Sequence, residues 1–224
     1  MENSFDGDRS TTGYAGDPRI RGFVPGEEDA RDEQLKERIE SEERIWQGRI
    51  FTVDRLQVSL PDGRPAIRDV VRHPGAVAIV ALTDEGRICV VRQYRTAIDR
   101  VTVEIPAGKL APGEDPADCA ARELEEETGF VARRMARLTT IATSAGFADE
   151  LIHIYMATGL TRGPAAPDAD EFLNVDLIEL TELVDAVLDG KIEDAKTIVG
   201  ALICDSIAHR LGTCVDVGPE LEVE

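Results

Sequence analysis

Asp115-Pro116-Ala117-Asp118-Cys119-Ala120-Ala121-Arg122-Glu123-Leu124-Glu125-Glu126-Glu127-Thr128-Gly129 reads as one helix with both ends marked. Asp115 carries the short acceptor side chain favoured at an N-cap. Pro116 suits the first helical position, where no N–H is needed. Asp118 puts negative charge in the first turn, where the helix dipole favours it, and Gly129 supplies the stop. At about 100° per residue, Ala117, Ala120, Ala121, Leu124 and Thr128 fall on one side, expected to pack on a core. Arg122, Glu125 and Asp118 fall toward solvent. Glu123, Glu126 and Glu127 share a third side at spacings of three and four, so three carboxylates converge on one small volume. Like charges this close destabilise a helix unless something neutralises them. A hard cation with oxygen ligands does so, and magnesium is the most available. The plain alternative is a solvated acidic face in a Glu-rich chain.

Upstream, Glu104-Ile105-Pro106-Ala107-Gly108-Lys109-Leu110-Ala111-Pro112-Gly113-Glu114 leads from a strand into this helix. Gly108, five residues, Glu114, seven residues, Arg122-Glu123-Leu124, one residue, Glu126-Glu127, one residue and Gly129-Phe130 form a complete Nudix box. On these residues the chain resembles the Nudix family. The resemblance implies an α+β fold, a mixed β-sheet sandwiched between α-helices, and hydrolysis of a nucleoside diphosphate linked to another moiety. It implies two or three magnesium ions, with manganese as a substitute. Glu123 and Glu127 would be the principal ligands, with Glu126 and the carbonyl of Ala107 as further ones. Arg122 would orient the glutamates, Glu114 would pair with Arg122 or assist a metal through water, and Gly108 and Gly129 would serve backbone geometry at the two ends. Glu126 and Arg122 thereby join the catalytic set.

Beyond the box, the resemblance spans roughly residues 45 to 212 and is to the ADP-ribose pyrophosphatase branch. It rests on Val70-Val71-Arg72-His73-Pro74-Gly75-Ala76-Val77, Val91-Arg92-Gln93-Tyr94-Arg95, Glu104 to Gly108, and Thr143-Ser144-Ala145-Gly146-Phe147-Ala148-Asp149-Glu150. It implies ADP-ribose as substrate, Glu150 as general base, Arg95 and Glu104 as substrate contacts, and a homodimer reached through the N-terminal strands. Trp46 or Phe51 in that region would stack on a base. Ala145 stands where this branch usually has proline, which keeps a GDP-sugar or other nucleotide sugar open. A non-catalytic nucleotide-binding domain of the same fold is the rival of a different class. The intact Glu123, Glu126 and Glu127 count against it.

The remaining residues frame this centre. The net charge of −19 opposes nucleic acid and anionic membranes as partners, and 42% hydrophobic residues can fill a core. No stretch nears the roughly 18 apolar residues of a membrane span. Cys89, Cys119, Cys204 and Cys214 form no C-x-x-C pair and read as free thiols. With no basic-then-apolar N-terminal leader, a cytoplasmic location is expected. Residues 1–43 read as a polar, disordered tail, with a charged helix open to Glu33–Arg44. Residues 44–212 form the domain, and 213–224 an acidic tail. Strands are expected at 49–53, 55–60, 76–82, 87–94, 101–105, 138–143, 151–157 and 175–180, and helices at 181–188 and 195–211. Glu171, after a Pro-rich loop, is open as a metal ligand or a solvated acid. His73, His153 and His209 are read as structural.

Overall fold

The computed structural model describes residues 29–163 and 172–211. After a short 3-10 helix (Ala30–Leu35) come β1 (Arg38–Gln47), β2 (Thr52–Ser59), β3 (Pro65–Arg72), β4 (Ala76–Leu82), β5 (Arg87–Arg95), β6 (Arg100–Glu104) and β7 (Ala107–Lys109). Then follow α1 (Pro116–Thr128), β8 (Phe130–Ala142), β9 (Leu151–Arg162), β10 (Leu173–Glu179), α2 (Leu180–Leu188) and α3 (Ala195–Leu211).

The apolar run of β4 organises the fold. Its seven residues are all buried, as expected of a strand covered on both faces. Successive side chains alternate. Val77, Ile79 and Ala81 meet Cys119, Ala120 and Leu124 of α1 on one side. Ala78, Val80 and Leu82 meet Leu183 of α2 and Ala201 and Cys204 of α3 on the other. β4 pairs in parallel with β9 and antiparallel with β5 and β7, so the sheet is mixed, in the order β10-β5-β4-β9-β8. Helices on both faces give the expected sandwich. A second sheet, β1-β2-β3, is antiparallel.

The structure corrects the N-terminal boundary. Glu33–Arg44 forms no helix beyond the 3-10 turn, and the boundary expected at residue 44 falls inside β1. β1 is exposed at all ten positions, so it shows no apolar alternation to read. Opposite charges across the pair do that work. Arg44 faces Asp54 in register and donates to it at 2.8 Å, and Glu43 faces Arg55. Asp54 is buried, yet the Arg44 hydrogen bond outweighs burial and holds its carboxyl down at about 2. β7 is an unexpected three-residue strand, and β8 begins at Phe130, directly after α1. The Arg-rich stretch 133–137 hides β8 in the sequence, but β9 pairs along most of its length. Residues 1–28 and 212–224, with the tails expected there, and Glu171 lie outside the described residues.

Candidate active site

Local signals fix α1 as the sequence suggests. The Asp115 carboxylate accepts from the Ala117 N–H at 2.8 Å, and Gly129, at φ 70°, donates its N–H to the Glu125 carbonyl. An N-cap of this kind contributes about 1 kcal/mol. The faces differ from expectation. Ala117 and Ala121 are exposed, whereas Cys119, Ala120, Glu123, Leu124, Glu127 and Thr128 are buried. Two of the three glutamates therefore turn inward.

β7 explains this. Its Ala107 N–H donates to Glu127 Oε2 at 3.1 Å. A Cβ on Gly108 would stand 1.8 Å from the carboxyl carbon of Glu123 and 2.1 and 2.3 Å from its oxygens. Gly108 lies in extended backbone, so close approach, not the backbone geometry expected of it, requires glycine there. Gly129 does serve geometry, as its left-handed φ shows.

Arg122 does not point to open solvent. It donates to Glu114 Oε1 (2.9 Å), Glu123 Oε1 (2.8 Å) and Glu126 Oε2 (2.7 Å). The Arg122 hydrogen bond, helped by the Ala111 N–H, holds the Glu114 carboxyl down at about 2. These contacts raise Arg122 above its ordinary value, the Glu114 hydrogen bond first. One guanidinium thus ties the loop before α1 to two of its glutamates. Glu126 is half-exposed and shares the Arg122 Nη1 group with Glu123.

Glu123 and Glu127 line a cleft of about 610 Å³ that also takes in Ala107, Arg122, Glu150, Arg95, His73 and Lys196. Residues 95, 107, 122, 123, 127 and 150, far apart in sequence, meet there as expected. Glu104 does not. It is 2% exposed and absent from the lining, and its carboxylate receives Arg95, Lys196 and Thr102. Burial pushes its carboxyl up, but Arg95 and Lys196 more than offset this and hold it at about 2. In this structure it is a buried anchor for the two cations that reach the cleft, Arg95 and Lys196. Trp46 and Phe51 are also absent from the lining. They pack on each other, ring centroids 5.0 Å apart, and Ile50 between them in sequence reaches the cleft instead.

Lys196 and His73 are two of the cleft residues that the sequence did not disclose. Lys196 sits in the first turn of α3, buried, 92 residues from the Glu104 it binds. The Asp194 side chain caps that turn, and the Thr197 hydroxyl accepts from the Ile105 N–H, docking α3 beside Ala107. No spacing in the sequence announces that juxtaposition. His73 stands next to a Pro-Gly turn that hides its direction.

The donor set suits a hard divalent cation. Two buried carboxylates at i and i+4 face one cleft, and the Gly108 backbone leaves room for Glu123. Among the described residues no three His, Cys, Asp or Glu side chains are already gathered as a ligand set. Glu123 and Glu127 are the pair that lines the cleft, and Glu126 reaches them through the Arg122 guanidinium it shares with Glu123.

The NUDIX domain family model matches residues 71–199. The chain is 47% identical over 167 residues to the methanol dehydrogenase activator of Bacillus methanolicus, covering 74% of this chain and 90% of that one. It is 42% identical over 165 residues to the ADP-ribose pyrophosphatase of Bacillus subtilis, covering 73% and 89%. The crystal structure of an ADP compounds hydrolase superposes with a TM-score of 0.71 at 22% identity, over 79% of this chain and 96% of that one, a likeness of fold.

Proposed function

The chain belongs to the Nudix family of hydrolases, and from that premise we propose that it splits the pyrophosphate of ADP-ribose into AMP and ribose 5-phosphate. The observation that carries the reading is the pair of buried carboxylates, Glu123 and Glu127, in one cleft with Glu150 and Arg95. They would hold a divalent cation, magnesium or manganese in its place, which offsets the pyrophosphate charge and polarises its oxygens. Arg95 enters the cleft braced by Glu104, so its guanidinium is pre-positioned for a phosphate oxygen. Glu150 takes a proton from water as the water oxygen bonds to phosphorus and the bridging P–O bond breaks. Arg122 keeps Glu123 in place by hydrogen bonding.

Ala145 leaves the Glu150 loop in place. The Val71 N–H donates to the Phe147 carbonyl at 2.8 Å, and the Ser144 carbonyl accepts from the Phe147 and Ala148 N–H groups, so no proline is needed for this turn. ADP-ribose is favoured over a GDP-sugar because the ADP-ribose pyrophosphatases are 42% and 39% identical to this chain and a GDP-mannose pyrophosphatase 29%.

The test is incubation with ADP-ribose and magnesium, with chromatography of the products. AMP and ribose 5-phosphate are expected, and chelation with EDTA is expected to stop their release until magnesium is restored. A chain silent on ADP-ribose but active on a GDP-sugar would move the reading to that substrate. Silence on every nucleotide sugar would return it to a binding domain.

The homodimer belongs to the same proposal. β1 is a fully exposed edge strand carrying Ile39, Ile45 and Trp46 at 56%, 41% and 50% exposure, apolar surface that a second copy would cover. Light scattering is expected to give twice the chain mass of 24.4 kDa, and a monomeric mass would remove the dimer. A cytoplasmic location is in keeping with Cys89, Cys119 and Cys204, which are unpaired thiols pushed up to about 12 by burial. Among the described residues no helix is long and apolar enough to cross a membrane.

A further inference from the structure

Thr143 and Glu150 close the loop between β8 and β9. The last pair of these strands is Ala142 with Leu151, so Thr143 and Glu150 stand opposite each other one step beyond it. The Thr143 N–H donates to the Glu150 carbonyl at 3.3 Å, which carries the pairing past the strand ends. Side chains alternate along a strand, so this pair faces the same way as Ile141 and Ile152, two residues back. Ile152 and Glu150 both line the cleft. Thr143 therefore stands on the side of the sheet where Glu150 works, and its hydroxyl donates to Glu150 Oε2 at 2.8 Å.

The rest of the loop is held through its main chain. The Val71 N–H donates to the Phe147 carbonyl at 2.8 Å, and the Val71 carbonyl accepts from the Asp149 N–H at 3.1 Å. Asp149 Oδ1 accepts from the His73 N–H at 2.8 Å. These contacts fix where the main chain of Glu150 lies but leave its side-chain torsions free. Among the described residues Thr143 is the hydrogen-bond donor to the Glu150 carboxylate. His73 Nδ1 stands 3.3 Å from Oε1, but its lone pair accepts from the Gly75 N–H at 3.1 Å, so it has no hydrogen to give. One carboxylate oxygen is thus tied and the other keeps its lone pairs. A general base needs that division, one oxygen to fix its direction and one to receive the proton. Threonine is branched at Cβ and stiff at χ1, so the donor is itself held in place. We infer that Thr143 is a positioning residue for hydrolysis: by holding Oε2 it presents Oε1 to the water from which Glu150 takes a proton. The inference rests on Glu150 being the base of the proposed reaction.

The experiment is a double-mutant cycle read in steady-state kinetics on ADP-ribose with magnesium. Thr143→Val keeps the shape and the branched Cβ and removes only the donor. It is expected to lower kcat roughly tenfold and leave KM within about twofold. Thr143→Ser keeps the donor and loses the stiffness, and its kcat is expected within about threefold of wild type. Thr143→Ala, which also lacks the hydroxyl, takes over the test if the valine chain fails to fold. In a Glu150→Gln background, Thr143→Val is expected to cost less than about twofold, because no base remains to be aimed. The glutamine oxygen can still accept the hydroxyl, so a role confined to fastening the loop would persist there. A slow Glu150→Gln chain on which Thr143→Val still costs its full factor therefore overturns the inference and leaves the base assignment standing. A Glu150→Gln chain with unchanged kcat overturns the base assignment, and the inference with it. A valine chain as fast as wild type, or faster because an unbonded carboxylate is the stronger base, overturns the inference as well. So does a serine chain as slow as the valine chain, or a loss confined to KM.

Discussion

Glu127→Gln is expected to lower kcat on ADP-ribose roughly a thousandfold, about 4 kcal/mol of transition-state stabilisation, while the fold survives. The substitution is nearly isosteric. Glutamine keeps an oxygen that accepts from the Ala107 N–H, the contact Glu127 makes at 3.1 Å, so β7 stays docked on α1. What goes is one of the two buried charges facing the cleft, and a neutral amide is a poor ligand for a hard cation. Because the wild-type carboxylates at 123 and 127 repel, the variant helix should be no less stable in the absence of metal. Two readouts separate this from misfolding: an unchanged circular dichroism spectrum, and a higher magnesium concentration for half-maximal activity. Glu125→Gln is the control. It removes the same charge from the exposed face of α1, and kcat is expected to stay within about twofold. A Glu127→Gln chain working at half the wild-type rate would sink the metal assignment.

The contrast between positions 125 and 127 also marks what the sequence disclosed. The caps of α1, its length and the glutamate spacing are local features. Asp115, Pro116 and Gly129 act within one turn of chain, and each could be read in isolation. The apolar run of β4 was equally plain, because burial on both faces leaves no polar position in it. The turn of α1 about its own axis was harder. Periodicity placed Ala117 and Ala121 inside, but alanine is tolerated on either side of a helix and decides little. β7 decides it, a strand of three residues whose pairing to Ala76, Val77 and Ala78 is set by chain folding rather than by its own composition. β1 escaped for another reason. Its partners are charges on β2, and alternating Arg and Glu read as a solvated tail until the opposite strand is seen. The anchoring role of Glu104 is hidden because its two cations come from β5 and from α3, the latter 92 residues away. A buried carboxylate with distant partners resembles an exposed one in a sequence.

Gly108→Ala is expected to reduce kcat by about a hundredfold, a larger loss than one methyl group ordinarily causes. The new Cβ would need the space now held by the Glu123 carboxyl, 1.8 Å away. The backbone has little room to retreat. Gly108 is the middle residue of β7 and pairs with Val77 near the start of β4, and the next residues are tied by the Leu110 N–H to the Gly75 carbonyl at 3.2 Å. Glu123 is the softer partner, so its carboxylate must swing out of the cleft. It then gives up either the Arg122 contact at 2.8 Å or its place beside Glu127. Stability is expected to fall by about 1–3 kcal/mol, as for other overpacked sites. The loss of activity should exceed what unfolding explains at 25 °C, and the magnesium requirement should rise, because one of two ligands has moved while the other has not. Gly108→Ala therefore tests the site from the side of the strand, where no charge or proton is altered. Wild-type activity and magnesium dependence in this variant would mean that Glu123 does its work in a position other than the one beside β7, and the two-carboxylate cradle would have to be abandoned.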